Sequence, residues 1–274
     1  LVVLRAPRGM STRRALRRLR ESDPDGVYDF DHLHQESGAS AAPLILGQAG
    51  AARGPPARVG LVDSVPQAEG FAALRRFAGD SPGPSGHGEL VAARLRATAP
   101  GARLYAADIY GAAATGGSSS ALAQALAWLS EENVPVINVS LVGPRNRIVE
   151  AIVARLCARG HAIVAAVGND GPAAAPLFPA AYPDVIGVTG VDDRGRVLME
   201  AGRGAHVDFA AQGMVSARVR GTSYAAPIVA GLLAWHMAVP SRNARETALT
   251  TLRAQARDLG APGPPFGGAG DASA

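Results

Sequence analysis

The chain has 274 residues, of which 47% are hydrophobic and 18% charged, and it contains one cysteine. This length and apolar content suffice for a sizeable core, whereas the lone Cys157 excludes an intrachain disulfide and no apolar run is long enough to cross a bilayer. The net charge of +4 arises without a single lysine, so every basic side chain is arginine, which indicates a composition bias.

The first 40 residues are predicted to form a small α+β unit. A strand at 2–5 leads into a helix at 11–21, for which Ser11 is a suitable N-cap, and a second short strand follows at 27–30. Because an Ala, Gly, Ser and Pro-rich stretch comes next, we interpret residues 41–57 as a linker.

The charges of this first unit are segregated along the chain. Seven arginines crowd the first twenty residues, a pattern that is also typical of nucleic-acid-binding arms. Six acidic residues follow between positions 21 and 36 and nearly cancel this charge. We therefore predict a solvated amphipathic helix and no nucleic-acid partner.

Residues 58–260 are predicted to form one α/β domain, followed by a Gly/Pro-rich tail at 261–274. Apolar runs alternate with helical patterns throughout it, which favours a doubly wound, mostly parallel sheet with helices on both faces. Strands are expected near 58–63, 103–108, 136–140, 162–167, 185–191 and 206–210, and helices near 87–97, 120–133, 146–159, 223–238 and 243–254.

The most informative stretch is residues 221–231, GTSYAAPIVAG, in which a serine lies between a glycine turn and a small-residue helix. Ser223 is expected where that helix begins, so its hydroxyl is expected to project from the helix N-terminus toward solvent, where the dipole favours developing negative charge. Pro227 is expected in the first turn, where its missing N–H is no loss. Taken alone, the pattern also fits an ordinary serine N-cap.

A nucleophilic serine requires a base and a carboxylate that orients the base, and the chain offers both. Asp63 ends the apolar run VGLV at 59–62, where a parallel strand delivers a side chain to the crevice at its carboxyl end. His87 stands between glycines at the entry of an apolar helix. The three residues follow one another in the order Asp, His, Ser, one of the orders in which this triad recurs.

Four motifs in this order resemble those of the subtilisin-like serine proteases, the subtilase family, over residues 58–260. The stretch GTSYAAP at 221–227 resembles the serine signature, HG with VA at 87–92 the histidine signature, and VGLVDS at 59–64 the aspartate signature. The stretch AAVGNDG at 165–171 resembles the segment that carries the family's oxyanion asparagine, here Asn169, although its composition alone would indicate only a turn.

The resemblance implies a serine endopeptidase with Asp63, His87 and Ser223 as triad and Asn169 in the oxyanion hole. It further implies a substrate that lies extended along an edge formed by Ser140, Leu141 and Val142. A second edge is expected at Gly117, and Gly168 is also expected to bind substrate. An extended peptide is bound at such edges through its main chain.

For the N-terminal unit the resemblance implies an inhibitory propeptide, a zymogen and an extracellular or periplasmic enzyme. Its tail at 33–36 is expected to pass the active-site cleft, and the chain's own N-terminal segment is thus an expected partner besides the peptide or protein substrate. No cofactor is expected. The family resemblance allows calcium, but the sequence identifies no metal site, and His32 with His34 is too weak a pattern for one.

Several residues depart from the family pattern. Val65 stands where a glycine is usual after the aspartate motif, Glu89 and Leu90 replace the usual residues after the histidine, and Val142 replaces a glycine of the substrate edge. These departures leave open a second hypothesis, a weakly active or inactive pseudo-protease that binds peptides or partner proteins in the same cleft. A third, a nucleotide-binding domain, lacks a glycine-rich phosphate loop after its first strand.

Overall fold

Seven parallel strands form the central sheet of the computed structural model, which describes residues 1–36, 57–65, 67–79, 86–111 and 116–259. The strands are β2 (Arg58–Asp63), β3 (Ala73–Arg76), β4 (Arg103–Asp108), β6 (Val136–Val139), β8 (Ala162–Ala166), β9 (Ile186–Val191) and β10 (Phe209–Gln212). Their order in the sheet is β10-β9-β8-β6-β2-β4-β3, and all six pairings are parallel. This order and direction confirm the predicted α/β class.

A second, small sheet consists of β1 (Leu33–Glu36), β5 (Gly117–Ser118) and β7 (Leu141–Val142). It is antiparallel and has the order β5-β1-β7. The central strand comes from the N-terminal part of the chain, and the two outer strands come from residues 117–142.

Helices cover both faces of the large sheet, and each face has its own apolar core. One core contains residues of α2 (His87–Thr98), α5 (Thr222–Ala234) and α6 (Arg242–Gln255), and the other contains residues of α3 (Ser119–Glu131) and α4 (Arg147–Ala158). Strands buried on both faces read as continuous apolar runs, which explains why β2, β4, β6, β8 and β9 were predictable. Cys157 of α4 is 5% exposed and packs in the second core, as predicted.

The N-terminal unit differs from its prediction. Helix α1 (Thr12–Ser22) is present, with Ser11 as its N-cap: the Ser11 hydroxyl accepts a hydrogen bond from the Arg14 N–H at 3.3 Å. The strands predicted at 2–5 and 27–30 are not formed, since neither segment has a partner strand among the described residues. The strand of this region lies later, at Leu33–Glu36.

Two further differences concern the large sheet. The sequence does not predict strand β3, because Ala73–Arg76 lies at the sheet edge and contains two arginines rather than an apolar run. The last strand was expected at 206–210 but forms at Phe209–Gln212. The predicted linker and tail fall almost entirely outside the described residues, so the domain boundaries stay predictions. Among the described helices, none has the length and apolar character that crossing a membrane would need.

Candidate active site

Asp63, His87 and Ser223, which are far apart in sequence, meet at the carboxyl edge of the large sheet. His87 Nδ1 lies 2.8 Å from Asp63 Oδ1 and 3.0 Å from Oδ2, and His87 Nε2 lies 3.0 Å from Ser223 Oγ. All three residues are fully buried, so the Ser223 hydroxyl does not project toward solvent as expected. The hydroxyl, the imidazole and the carboxylate thus form one continuous hydrogen-bonded chain.

The end of β2 and the start of α2 fix the carboxylate and the imidazole. Asp63 is the last residue of β2, and its Oδ1 accepts a hydrogen bond from the Ser64 N–H at 2.7 Å. His87 is the first residue of α2. Gly88 allows the close approach of the two elements, since a Cβ atom there would lie 2.1 Å from the Ser64 carbonyl oxygen.

The electrostatic environment of His87 combines opposing effects. Burial lowers the pKa of the imidazole, but the neighbouring Asp63 charge and its hydrogen bond raise it, and Glu36 raises it further. The net result is that the pKa of His87 lies above its ordinary value. Proton transfer from Ser223 Oγ to His87 Nε2 is therefore favoured, because the imidazolium that forms faces the Asp63 carboxylate.

Asn169 is attached to the start of the helix that carries Ser223. Gly221, the N-cap of α5, has no side chain to cap the helix, and Asn169 Oδ1 instead accepts a hydrogen bond from the Thr222 N–H at 2.9 Å. In return, Thr222 Oγ1 accepts one from the Gly168 N–H at 3.1 Å. The turn at 168–169 and the helix N-terminus are thereby held in a fixed relation.

Pro227 is the sixth residue of α5, not a first-turn residue as predicted. Since proline has no N–H, the Ser223 carbonyl loses its usual donor four residues on. Ser140 Oγ supplies the missing donor at 2.9 Å, and Asn138 Nδ2 in turn donates to Ser140 Oγ at 2.8 Å. The fully buried Ser140 side chain, predicted to bind substrate, therefore supports the residue that carries the candidate nucleophile.

The two predicted substrate edges are occupied by the chain's own strand β1. Gln35 lies opposite Val142 and Glu36 opposite Leu141 on one side, and His34 lies opposite Gly117 on the other. Gly168, also predicted to bind substrate, is buried beside this sheet, because a Cβ atom there would lie 2.6 Å from Leu177 and 3.7 Å from Val142.

A cavity of about 740 Å³ lies along one side of β1. Asn169 and Leu177 form part of its wall, and charged side chains form another part, including the ion pair of Arg220 Nε with Glu200 Oε1 at 2.7 Å. The cavity therefore opens beside Asn169, one of the candidate site residues.

The metal interpretation of His32 and His34 gains no support from the geometry. His34 Nε2 lies 2.9 Å from Ser119 Oγ, whereas His32 Nδ1 lies 3.2 Å from Asn146 Nδ2. Within the described part of the chain, one group of three His, Cys, Asp or Glu side chains is close enough to share an ion. It consists of Glu36, Asp63 and His87, whose candidate ligand atoms lie within 4.8 Å of one another. These groups are already hydrogen-bonded to Ser64, to one another and to Ser223, so they do not indicate a metal centre.

Two acidic residues that precede β1, Asp29 and Asp31, bind helix N-termini, a role that the sequence pattern did not predict. Asp29 Oδ2 accepts a hydrogen bond from the Arg147 N–H at the start of α4 at 2.8 Å. Asp31 accepts hydrogen bonds from the N–H and the hydroxyl of Ser120 at the start of α3, both at 2.8 Å. A carboxylate at a helix N-terminus satisfies free N–H groups and complements the helix dipole.

Comparison with known proteins agrees with this geometry. The chain is 34% identical over 169 residues to M-protease of Shouchella clausii (strain KSM-K16) and to Subtilisin Savinase of Lederbergia lenta, covering 55% of this chain and 44% and 62% of theirs. It thus spans about half the length of these curated relatives.

Solved structures share the fold at lower identity. The prenylagaramide maturation protease PagA superposes with a TM-score of 0.60 at 22% identity, over 74% of this chain and 83% of that one. A lanthipeptide protease gives a TM-score of 0.63 at 20% identity, over 76% and 83%.

The model of the subtilase family matches residues 78–267, a range that includes His87, Asn169 and Ser223 and begins after Asp63. Asp63 lies outside the matched range, but it is hydrogen-bonded to His87, which is hydrogen-bonded to Ser223, and both of these lie within the range. The match extends over more than half of the chain, which therefore belongs to the subtilase family.

Proposed function

We propose that the protein is a serine endopeptidase that hydrolyses peptide bonds through an acyl-enzyme intermediate. The observation that carries this proposal is the buried chain of hydrogen bonds from Ser223 through His87 to Asp63. Ser223 Oγ attacks the scissile carbonyl carbon while His87 Nε2 takes its proton, and His87 then gives that proton to the leaving amine. A water molecule, activated by His87 in the same way, releases the acyl group.

In this proposal Asn169 donates a hydrogen bond to the oxyanion of the tetrahedral intermediate. The hydrogen bond from the Thr222 N–H to Asn169 Oδ1 supports this role. It fixes the plane of the amide group and uses its oxygen, so that Nδ2 is the atom that donates to the oxyanion. The Ser223 N–H lies in the first turn of α5, where N–H groups have no intrahelical acceptor, and is the second proposed donor.

We further propose that residues 1–40 are an inhibitory propeptide-like segment and that the chain is a zymogen. Strand β1 occupies the cleft between the two edges where an extended substrate would add as a strand. The segment just before β1 is held in place by two carboxylates: Asp29 binds the N-terminus of α4, and Asp31 binds the N-terminus of α3. As a substrate, a peptide or protein segment would replace β1 in the same antiparallel arrangement.

The remaining proposals rest on the family. The domain division into residues 1–40, 41–57, 58–260 and 261–274 is proposed as the order of propeptide, linker, peptidase and tail. An extracellular or periplasmic location is proposed because the relatives are subtilisins and alkaline proteases.

The proposal is tested by labelling with a fluorophosphonate probe, which reacts only with an activated serine. We expect one labelled site, Ser223, identified by mass spectrometry of the digest, and no label in Ser223→Ala. Ser22→Ala, which changes an exposed serine of α1, is the matched control and should label like the parent. To allow for occupation of the cleft by β1, His34→Ala is labelled in parallel. Absence of label from both the parent and this variant would contradict the proposal.

A further inference from the structure

Strand β1 presents alternate side chains to the enzyme and to solvent. His34 is fully buried and Glu36 is partly buried, whereas Leu33 is 51% exposed and Gln35 is also exposed. This period of two is that of a strand lying on a surface, so the side chains that point inward into the cleft are those of His34 and Glu36. Main-chain pairing binds any extended peptide, and specificity comes from the pockets that receive alternate side chains.

The pocket around His34 is built for an imidazole. Ser119, a buried residue at the start of α3, holds His34 Nε2 with its hydroxyl at 2.9 Å. On the other side of the ring is Gly143, where a Cβ atom would lie 2.4 Å from His34 Nδ1. A larger residue at 143 would therefore close the pocket, and an aliphatic side chain at 34 would leave the buried Ser119 hydroxyl without this partner.

The ionisation of His34 agrees with this pocket. Burial lowers the pKa of His34 to about 4, His32 lowers it as well, and Asp31 opposes the shift. Among the described residues, Nδ1 has no hydrogen-bond partner, so a doubly protonated ring would bury an unsatisfied N–H. The pocket thus takes the neutral imidazole.

The second inward side chain, Glu36, is held close to the candidate active site. Ser64 Oγ donates a hydrogen bond to Glu36 Oε1 at 2.7 Å, and Ser64 directly follows Asp63 in the chain. The Glu36 carboxylate lies within 4.8 Å of the facing atoms of Asp63 and His87. A peptide that binds like β1 therefore has its acidic residue beside the imidazole and its histidine two residues earlier.

We propose that this cleft selects peptide segments of the form His-X-Glu, and that Ser119, Gly143 and Ser64 are the residues that determine this specificity. The proposal rests on the proposed endopeptidase function and names its substrate class. It also accounts for β1, whose sequence LHQE provides both selected side chains.

The test uses the full chain carrying His34→Ala, so that β1 no longer fills the pocket. Quenched fluorogenic peptides with the sequence of residues 33–40, LHQESGAS, are compared with versions in which the histidine is replaced by leucine, phenylalanine or Nε2-methylhistidine. We expect kcat/KM for the histidine peptide to be about tenfold or more above that of the other three, since only its ring offers a free Nε2 to Ser119. A version with lysine in place of glutamate should lose a comparable factor.

Enzyme variants assign the effect to the pocket. In the same His34→Ala background, Ser119→Ala should reduce the preference for histidine over leucine to about threefold or less. Gly143→Ala should slow hydrolysis of the histidine peptide, because its Cβ atom would overlap the position of the imidazole ring. Ser130→Ala, on the opposite end of α3, is the matched control and should keep the full preference. Far-UV circular dichroism and a thermal unfolding midpoint that match those of the His34→Ala chain show that each variant is folded.

A binding measurement separates failure of this inference from failure of the proposed function. The chain with Ser223→Ala and His34→Ala is titrated with fluorescein-labelled LHQESGAS and its leucine version, and the anisotropy gives both dissociation constants. We expect the histidine peptide to bind about tenfold more tightly. Equal affinities, or equal kcat/KM values in an enzyme that reacts with fluorophosphonate, would overturn the specificity proposal alone. If the histidine peptide bound more tightly but the His34→Ala chain were not labelled by fluorophosphonate, the proposed endopeptidase function would be wrong and the proposed peptide specificity would stand.

Discussion

At the residue scale, the most informative contact is between Ser140 and the Ser223 carbonyl. Pro227 removes the N–H that would bind this carbonyl, and Ser140 replaces it. Ser140→Ala leaves a buried acceptor unsatisfied, which costs about 1–3 kcal/mol. We expect this loss in the free energy of unfolding from urea titration, together with a lower kcat because the backbone of the candidate nucleophile is less well held.

A double-mutant cycle checks the assignment. Pro227→Ala restores a backbone N–H four residues after Ser223, so in that background Ser140→Ala should cost less than half as much as in the parent. An identical cost in both backgrounds would mean that the Ser140 hydroxyl does not compensate for the proline.

Asn169 is predicted to have two separable roles, because its Oδ1 binds the Thr222 N–H and its Nδ2 is the proposed oxyanion donor. Asn169→Leu removes both, and we expect kcat to fall about 10²–10³-fold with a small loss of stability. Asn169→Asp keeps an acceptor for Thr222 but has no donor. It should lose kcat similarly while retaining more of the unfolding free energy. If only KM changed in both variants, Asn169 would be a turn residue without an oxyanion role.

The pH dependence is predicted from the charges around His87. Burial opposes protonation, but the Asp63 charge prevails and Glu36 adds to it, so the imidazole should titrate above its ordinary value of about 6.5. Activity requires the neutral ring and should therefore rise with pH through this midpoint. In Glu36→Gln the imidazolium loses a neighbouring negative charge, so the midpoint should move to lower pH. The midpoint of His87 is measured from histidine NMR signals of the full chain with Ser223→Ala, with and without Glu36→Gln. An unchanged midpoint would contradict the role of Glu36.

At the scale of elements, the sequence was sufficient wherever a local pattern determines the structure. The strands of the sheet interior are short apolar runs, and the residues of the hydrogen-bonded chain lie next to such runs or at helix starts. Strand β3 and strand β1 were not predictable in this way, because their pairing partners, not their own composition, make them strands. For the same reason the contacts of Glu36 with Ser64 and of His34 with Ser119 could not be predicted, since they join residues 28 and 85 positions apart.

The N-termini of α3 and α4 give a prediction at this scale, because each binds a carboxylate of the N-terminal segment. Asp31→Ala removes two hydrogen bonds to Ser120 and a favourable charge at the start of α3. We expect docking of β1 to weaken by about 1 kcal/mol, or about fivefold, and hydrolysis of a reporter peptide by the full chain to rise by a similar factor. Asp25→Ala, an exposed acidic residue of the same segment, is the matched control. A rise of equal size in both variants would indicate a general charge effect.

At the scale of the whole molecule, the N-terminal segment is predicted to inhibit because it is tethered. A linked ligand has an effective concentration on the order of millimolar, so modest intrinsic affinity keeps the cleft occupied at any protein concentration. We expect that cutting the folded full chain at a foreign protease site inserted within residues 41–56 makes inhibition dependent on dilution. Activity per molecule of the cut chain should rise as it is diluted and fall again when a peptide of residues 1–40 is added. The uncut chain should remain inhibited at every dilution. A chain that is fully active before cutting, or a cut chain whose specific activity does not change with dilution or added peptide, would show that the segment is a structural part of the fold and not an inhibitor.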